Sequence, residues 1–163
     1  MFGVVPGPDP IGDSHELIYY SMFQETRFDE SITYRVLARD QDRDLALLER
    51  KDPVERHTYT ISGLYHGRVH VGDFVYVIGH PVGIPYNLSS GYISRLLTEE
   101  DGVYRLFTNA HVYYGNSGGP IFDDRGNIIA ITSQIVRGEP YLNKGVYVRS
   151  IREFLSDNYL QLP

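Results

Sequence analysis

Gly115-Asn116-Ser117-Gly118-Gly119-Pro120 is the stretch from which the rest of this sequence is read. A serine hydroxyl attacks a carbonyl only if it stands exposed on a tight turn beside backbone donors. Gly115 and Gly118 permit the unusual backbone angles such a turn needs, and the N–H groups of Gly115 and Ser117 are placed to converge on a developing oxyanion. Taken alone, a Gly-rich run between two strands is an ordinary turn. The flanking sequence decides between the two readings.

Outward from that loop, short runs rich in β-branched and aromatic residues recur at the spacing of an all-β protein. Before it lie Leu17 to Phe23, Ile32 to Ala38, Leu45 to Leu48, Thr58 to Ile61, Phe74 to Ile78, Leu88 to Leu97 and Val103 to Thr108. Gly119 to Phe122, Ile128 to Gln134 and Gly145 to Val148 follow. Glu99-Glu100-Asp101-Gly102 and Asp123-Asp124-Arg125-Gly126-Asn127 read as hairpin turns, each with a glycine where φ must be positive. Ser150 to Tyr159 has helical spacing, with Ile151, Phe154 and Leu155 on one face and Ser150 as N-cap. Residues 1 to 14 are an irregular Gly-, Pro- and Asp-rich lead-in.

Thr108-Asn109-Ala110, then Gly115 to Pro120, Ile121-Phe122, and Gly126-Asn127-Ile128-Ile129-Ala130-Ile131 resemble the nucleophile region of trypsin-like serine peptidases, specifically the HtrA/Deg branch. Val71-Gly72-Asp73-Phe74, Val77 to Gly83 and Ser90-Gly91-Tyr92-Ile93-Ser94 resemble the opening strands of that family's second barrel. The resemblance implies a double β-barrel with the site in the cleft between the halves. Residues 1 to 62 would then be a partial first barrel, 68 to 150 the second barrel and 150 to 159 a closing helix, all in one peptidase domain.

A serine needs a histidine base, and the imidazole needs a carboxylate to fix its tautomer. Arg43-Asp44-Leu45-Ala46-Leu47-Leu48 resembles the family's catalytic-aspartate motif, which nominates Asp44. Asp40, Asp42 and Asp44 alternate, but the positions that a calcium loop reserves for Gly and Glu are Leu45 and Lys51, so no metal site is read there. The family's histidine ends a strand, in a Thr-x-x-His stretch preceded by two further first-barrel strands. None of the six histidines matches that setting. His15 is the remaining candidate base, at about the family's separation from Asp44. The expectation that follows is an internal start, with the first barrel's opening hairpin and its histidine encoded ahead of Met1.

His57, His66 and His70 read as solvated, and His80 sits in a loop before Pro81. His111 falls where the family lines the pocket for the substrate side chain. Thr132, Ser133 and Gln134 fall on the strand expected to flank that pocket, and all three are uncharged. With no buried acid there to select Arg or Lys, small or medium apolar side chains are the substrate preference the resemblance implies.

Composition narrows the alternatives. Hydrophobic residues make up 42% of the chain and aromatics 13%, enough apolar surface to fold without staples. A net charge of −6 without any basic block argues against nucleic acid as a partner, and the family resemblance implies a polypeptide substrate. Cysteine is absent, which removes disulfides, thiolate metal sites and a thiol nucleophile. No apolar run approaches the ~20 residues of a membrane span, no secretory leader is read at the start, and no metal or organic cofactor is implied. The family's usual PDZ module is not found in the chain, and oligomeric state and compartment are left open. Serine endopeptidase is the first reading, and a peptidase-like peptide-binding module that has lost its base is the second.

Overall fold

Phe74-Val75-Tyr76-Val77-Ile78-Gly79 alternates half-buried and fully buried positions, so that Val75 and Val77 point inward with no exposed surface. A period of two is what a strand with one covered face requires. In the computed structural model, which describes residues 14–18, 31–50, 63–83, 87–98, 102–135 and 142–159, this is β4 (Phe74–Gly79) of a closed antiparallel barrel. Its other strands are β5 (Asn87–Thr98), β6 (Tyr104–Thr108), β7 (Pro120–Phe122), β8 (Ile128–Ile135) and β9 (Asn143–Tyr147). They run around the barrel in the order β4-β5-β6-β9-β8-β7, and β7 pairs back onto β4. Closure removes every exposed edge. Val75, Val77, Ile93, Leu106, Ala110, Val112, Ile121, Ile129 and Ala130 fill the interior.

Ahead of the barrel, β1 (Ser14–Ile18), β2 (Ser31–Asp40) and β3 (Leu45–Arg50) form an antiparallel sheet in that order. The strand expected over Leu17 to Phe23 begins earlier, at Ser14, while residues 19 to 23 lie outside the described residues, as does Thr58 to Ile61. Leu45 and Leu47 of β3 pack with Val103, Ile131, Val146, Ile151 and Phe154, so an apolar seam joins the first sheet to the outer wall of the barrel and to the helix α1 (Val148–Tyr159).

The helix begins earlier than its sequence suggests. Val148 follows β9 directly and is buried together with Ile151 and Phe154 on one face. Ser150 is therefore inside the first turn and not its cap. Its hydroxyl instead accepts a 2.8 Å hydrogen bond from the N–H of Tyr104, at the start of β6. The Arg149 guanidinium lies 3.8 Å from the centre of the Tyr104 ring and the Arg152 guanidinium donates to the carbonyl of Tyr65, so polar contacts as well as the seam fix the helix to the barrel.

The β7–β8 hairpin turn is held by one carboxylate. Asp123 Oδ1 accepts from the N–H groups of Arg125 (2.9 Å) and Asn127 (2.7 Å), Oδ2 accepts from Asn127 Nδ2 (2.8 Å), and Gly126 has φ +81°. Burial pushes the Asp123 carboxyl up, but the hydrogen bonds from Asn127 and Arg125 outweigh it and hold the group below its usual 3.8. A lowered folded-state value means stabilisation that is present above the unfolded value and lost as pH falls through the folded one. Asp123→Ala is expected to cost about 1–2 kcal/mol at neutral pH, by loss of local hydrogen bonds to main-chain donors. Urea unfolding checks this, and the gap from wild type should narrow below about pH 4.

Candidate active site

Gly115 has φ +103°, and a Cβ added there would lie 2.2 Å from the carbonyl oxygen of His80. Gly118, beyond the serine, has φ +82°. Both glycines are thus demanded by conformation, and Gly115 also by space. The turn between them is pinned from below. Asn116 N donates to Tyr113 O (3.0 Å), Gly118 N to Thr132 O (2.8 Å), and Thr132 N to Gly119 O (2.8 Å). Asn116 is buried, with its Oδ1 packed where a side chain on Gly79 would go. Ser117 is left exposed at the apex. Among the described residues, the N–H groups of Gly115 and Ser117 donate no hydrogen bond, which leaves both available to an incoming oxyanion.

The residue that organises the site is Ser133. Its carbonyl oxygen accepts from Ser117 Oγ at 3.3 Å, and its own hydroxyl donates to Asp44 Oδ2 at 2.6 Å. One buried residue of β8 therefore touches both the candidate nucleophile and the candidate acid. Asp44 reaches it from the turn between β2 and β3, where it adopts φ +59°, unusual for any residue but tolerated best by Asp, Asn and Gly. That turn is tied to the barrel wall by Arg105 of β6, whose Nη1 and Nη2 donate to the carbonyls of Arg43 and Asp42, each at 3.1 Å.

The sequence places Ser133 on the pocket wall with Thr132 and Gln134. A β-bulge at Ser133, where Thr132 pairs with Gly145 and Gln134 with the adjacent Lys144, separates the three. Ser133 faces Asp44 and Ser117, Thr132 is buried with its Oγ1 unpartnered among the described residues, and Gln134 is exposed. The sequence signal for Ser133 is its place at the centre of the polar run Thr132-Ser133-Gln134, which interrupts the apolar strand Ile128 to Ile135. For Arg105 it was a cation inside the apolar run Val103 to Phe107, since a buried charge needs partners.

Strand register separates His15 from the acid. His15 pairs with Tyr34 on β2, whereas the turn carrying Asp44 leaves β2 at Asp40. At about 3.3 Å per residue the two points are roughly 20 Å apart along the strand, beyond the reach of an imidazole. The register thus does not bring His15, the candidate base, next to Asp44. His111 follows Thr108-Asn109-Ala110 at the end of β6, and so has the Thr-x-x-His spacing, but in the barrel that already carries Ser117. Its carbonyl accepts from Ser89 Oγ (2.6 Å) and its exposed ring stacks on Tyr113, with centroids 6.5 Å apart. His80 lies beneath the turn, where burial lowers its pKa. His66 and His70 are exposed, and His57 is outside the described residues. Among the described residues no histidine hydrogen-bonds Ser117 Oγ or the Asp44 carboxylate.

Comparison with known proteins bears on the family and the fold. A probable periplasmic serine endoprotease, DegP-like, of Hahella chejuensis is 33% identical over 108 residues, 64% of this chain and 22% of that protein. Protease Do-like 1, chloroplastic, of Arabidopsis thaliana is 32% identical over 122 residues, 71% of this chain and 27% of that protein. The chain thus spans about a quarter of the length of these relatives. Among solved structures, the HtrA-type protease AlgW with a decapeptide superposes with a TM-score of 0.69 at 23% identity, over 80% of this chain and 41% of that one. An inactive mutant form of Rv3671c from Mycobacterium tuberculosis also gives a TM-score of 0.69, at 16% identity, over 83% of this chain and 69% of that one. These two likenesses show the fold. The trypsin-like peptidase domain family itself matches residues 4–131, well over half of the sequence, and the chain belongs to that family.

Proposed function

We propose that this chain is the peptidase domain of a serine endopeptidase that cleaves polypeptides through an acyl-enzyme on Ser117. The observation that carries the reading is the double contact of Ser133, which sets the Asp44 carboxylate and the Ser117 hydroxyl on either side of one residue. An imidazole between them would take the Ser117 proton as Oγ bonds to the scissile carbonyl carbon. The carboxylate would orient that ring and stabilise the imidazolium. The N–H groups of Gly115 and Ser117 would hold the oxyanion. As the C–N bond breaks the proton passes to the leaving amine, and water then hydrolyses the ester by the same route in reverse. His111, Thr132, Ser133 and Gln134, the residues expected to line the pocket, include no acid, so an uncharged substrate side chain is the one expected there.

Ser117 in the natural-length protein is expected to be labelled stoichiometrically by a fluorophosphonate, with one added probe mass on the peptide holding Ser117. Ser117→Ala should remove the label. A folded natural-length protein that takes no label would support the second reading, a peptide-binding module on the peptidase fold.

A further inference from the structure

Arg105 is a cation at 5% exposure in the outer wall of the barrel, at the margin of the seam where the first sheet docks. Burying a guanidinium is costly unless its donors are satisfied, so where they point says what the residue is for. Two of them point at consecutive main-chain carbonyls, Asp42 O and Arg43 O, the pair immediately ahead of Asp44. A planar fork held at two acceptors fixes the orientation of a turn as well as its position.

That orientation matters because the turn has little else to aim it. Arg43 N donates to Asp40 Oδ1 (2.8 Å) and the Arg43 guanidinium pairs with Asp40 (2.7 Å) and with Asp157 of α1 (3.0 Å), contacts that shape the turn and lie on its more exposed side. Asp44 itself sits at φ +59°, a sparsely populated conformation that persists only where the surroundings impose it. On the barrel, Arg105 pairs with Val146 of β9, and Val146 pairs with Ile131 of β8, so Arg105 and Ser133 stand two strands apart on one closed wall. That is about 10 Å across the strands at ~4.8 Å per strand, with Ser133 two residues further along β8 than Ile131. The wall thus grips the turn twice, by its backbone through Arg105 and by the Asp44 carboxylate through Ser133.

We propose that Arg105 is a positioning residue for the reaction, which docks the β2–β3 turn so that Asp44 presents its carboxylate to the base of Ser117. The inference rests on the reading of Ser117 as nucleophile. It reaches further, because it assigns to a strand of the second barrel the placement of an acid contributed by the first sheet.

The test uses the natural-length protein, with Arg105→Leu, Arg105→Lys and Ser117→Ala beside wild type. Active-site titration first counts competent molecules, so misfolded protein is not read as slow protein. Arg105→Leu is expected to lower the maximal rate of Ser117 acylation by a fluorophosphonate about 10- to 100-fold, the scale of a 1 Å misplacement. The half-saturating probe concentration should stay unchanged, and Arg105→Lys should recover part of the rate. Hydrogen exchange in the peptide spanning 40–45 should quicken in Arg105→Leu while β4 and β6 keep their protection. Acylation by Arg105→Leu at the wild-type rate would overturn the proposal. If wild type itself takes no label, the nucleophile reading fails instead, and the exchange measurement still decides the anchoring: unchanged protection of 40–45 in Arg105→Leu refutes it.

Discussion

Asp44→Asn is expected to leave the fold in place and to slow acylation of Ser117 by on the order of 10⁴-fold, since an amide fixes the wrong imidazole tautomer and cannot stabilise the imidazolium. The structure makes this substitution a clean one. Asn tolerates the φ of +59° as well as Asp does, and its Oδ1 still accepts from the Ser133 hydroxyl, now at 2.6 Å from the carboxylate. The Arg105 and Arg43 contacts run to the backbone and to Asp40 and Asp157, so none is lost. Thermal unfolding should therefore move little while the acylation rate falls. A rate within a few-fold of wild type would remove Asp44 from the site.

Gly115→Ala carries the second large effect. The added methyl would meet the His80 carbonyl oxygen at 2.2 Å, and the backbone angle of +103° is one that alanine rarely adopts. The peptide joining Tyr114 to Gly115 has to move, and the Gly115 N–H leaves the position from which it would hold an oxyanion. Removal of one such donor costs about 10²- to 10³-fold in kcat. Gly102→Ala is the control, because Gly102 has a similar positive φ of +81° with open space around it. It should show the conformational strain, about 1 kcal/mol by urea unfolding, with the rate unchanged. Equal rates in the two variants would mean that the Gly115 N–H does not act on the substrate.

The features legible in the sequence are those whose cause is local. The conformational demand on Gly115 and Gly118 is written in the residues themselves, and the alternation of β4 and the Ile151-Phe154 face of α1 are short-range patterns. What escaped has causes that are distant in the chain. Ser133 looks like a pocket residue until Asp44, on another sheet, is seen to accept from it. Ser150 looks like a cap until Tyr104 supplies a competing donor. β9 starts at Asn143, earlier than expected, because this polar residue is buried at 1% exposure, its Nδ2 donating to Ala110 O at 2.7 Å. His15 has a suitable separation in sequence, and only strand register reveals that it lies far from the acid.

The contact between Ser133 and Asp44 also spans 89 residues of chain, which sets a clock on synthesis. At about 5–20 residues per second, a ribosome delivers the carboxylate roughly 5–20 s before the strand that must receive it. Throughout that interval the guanidinium that anchors the turn is also still to come for most of the time, since it lies 62 residues beyond Arg43. A nascent chain therefore holds its acid unaimed until the barrel closes.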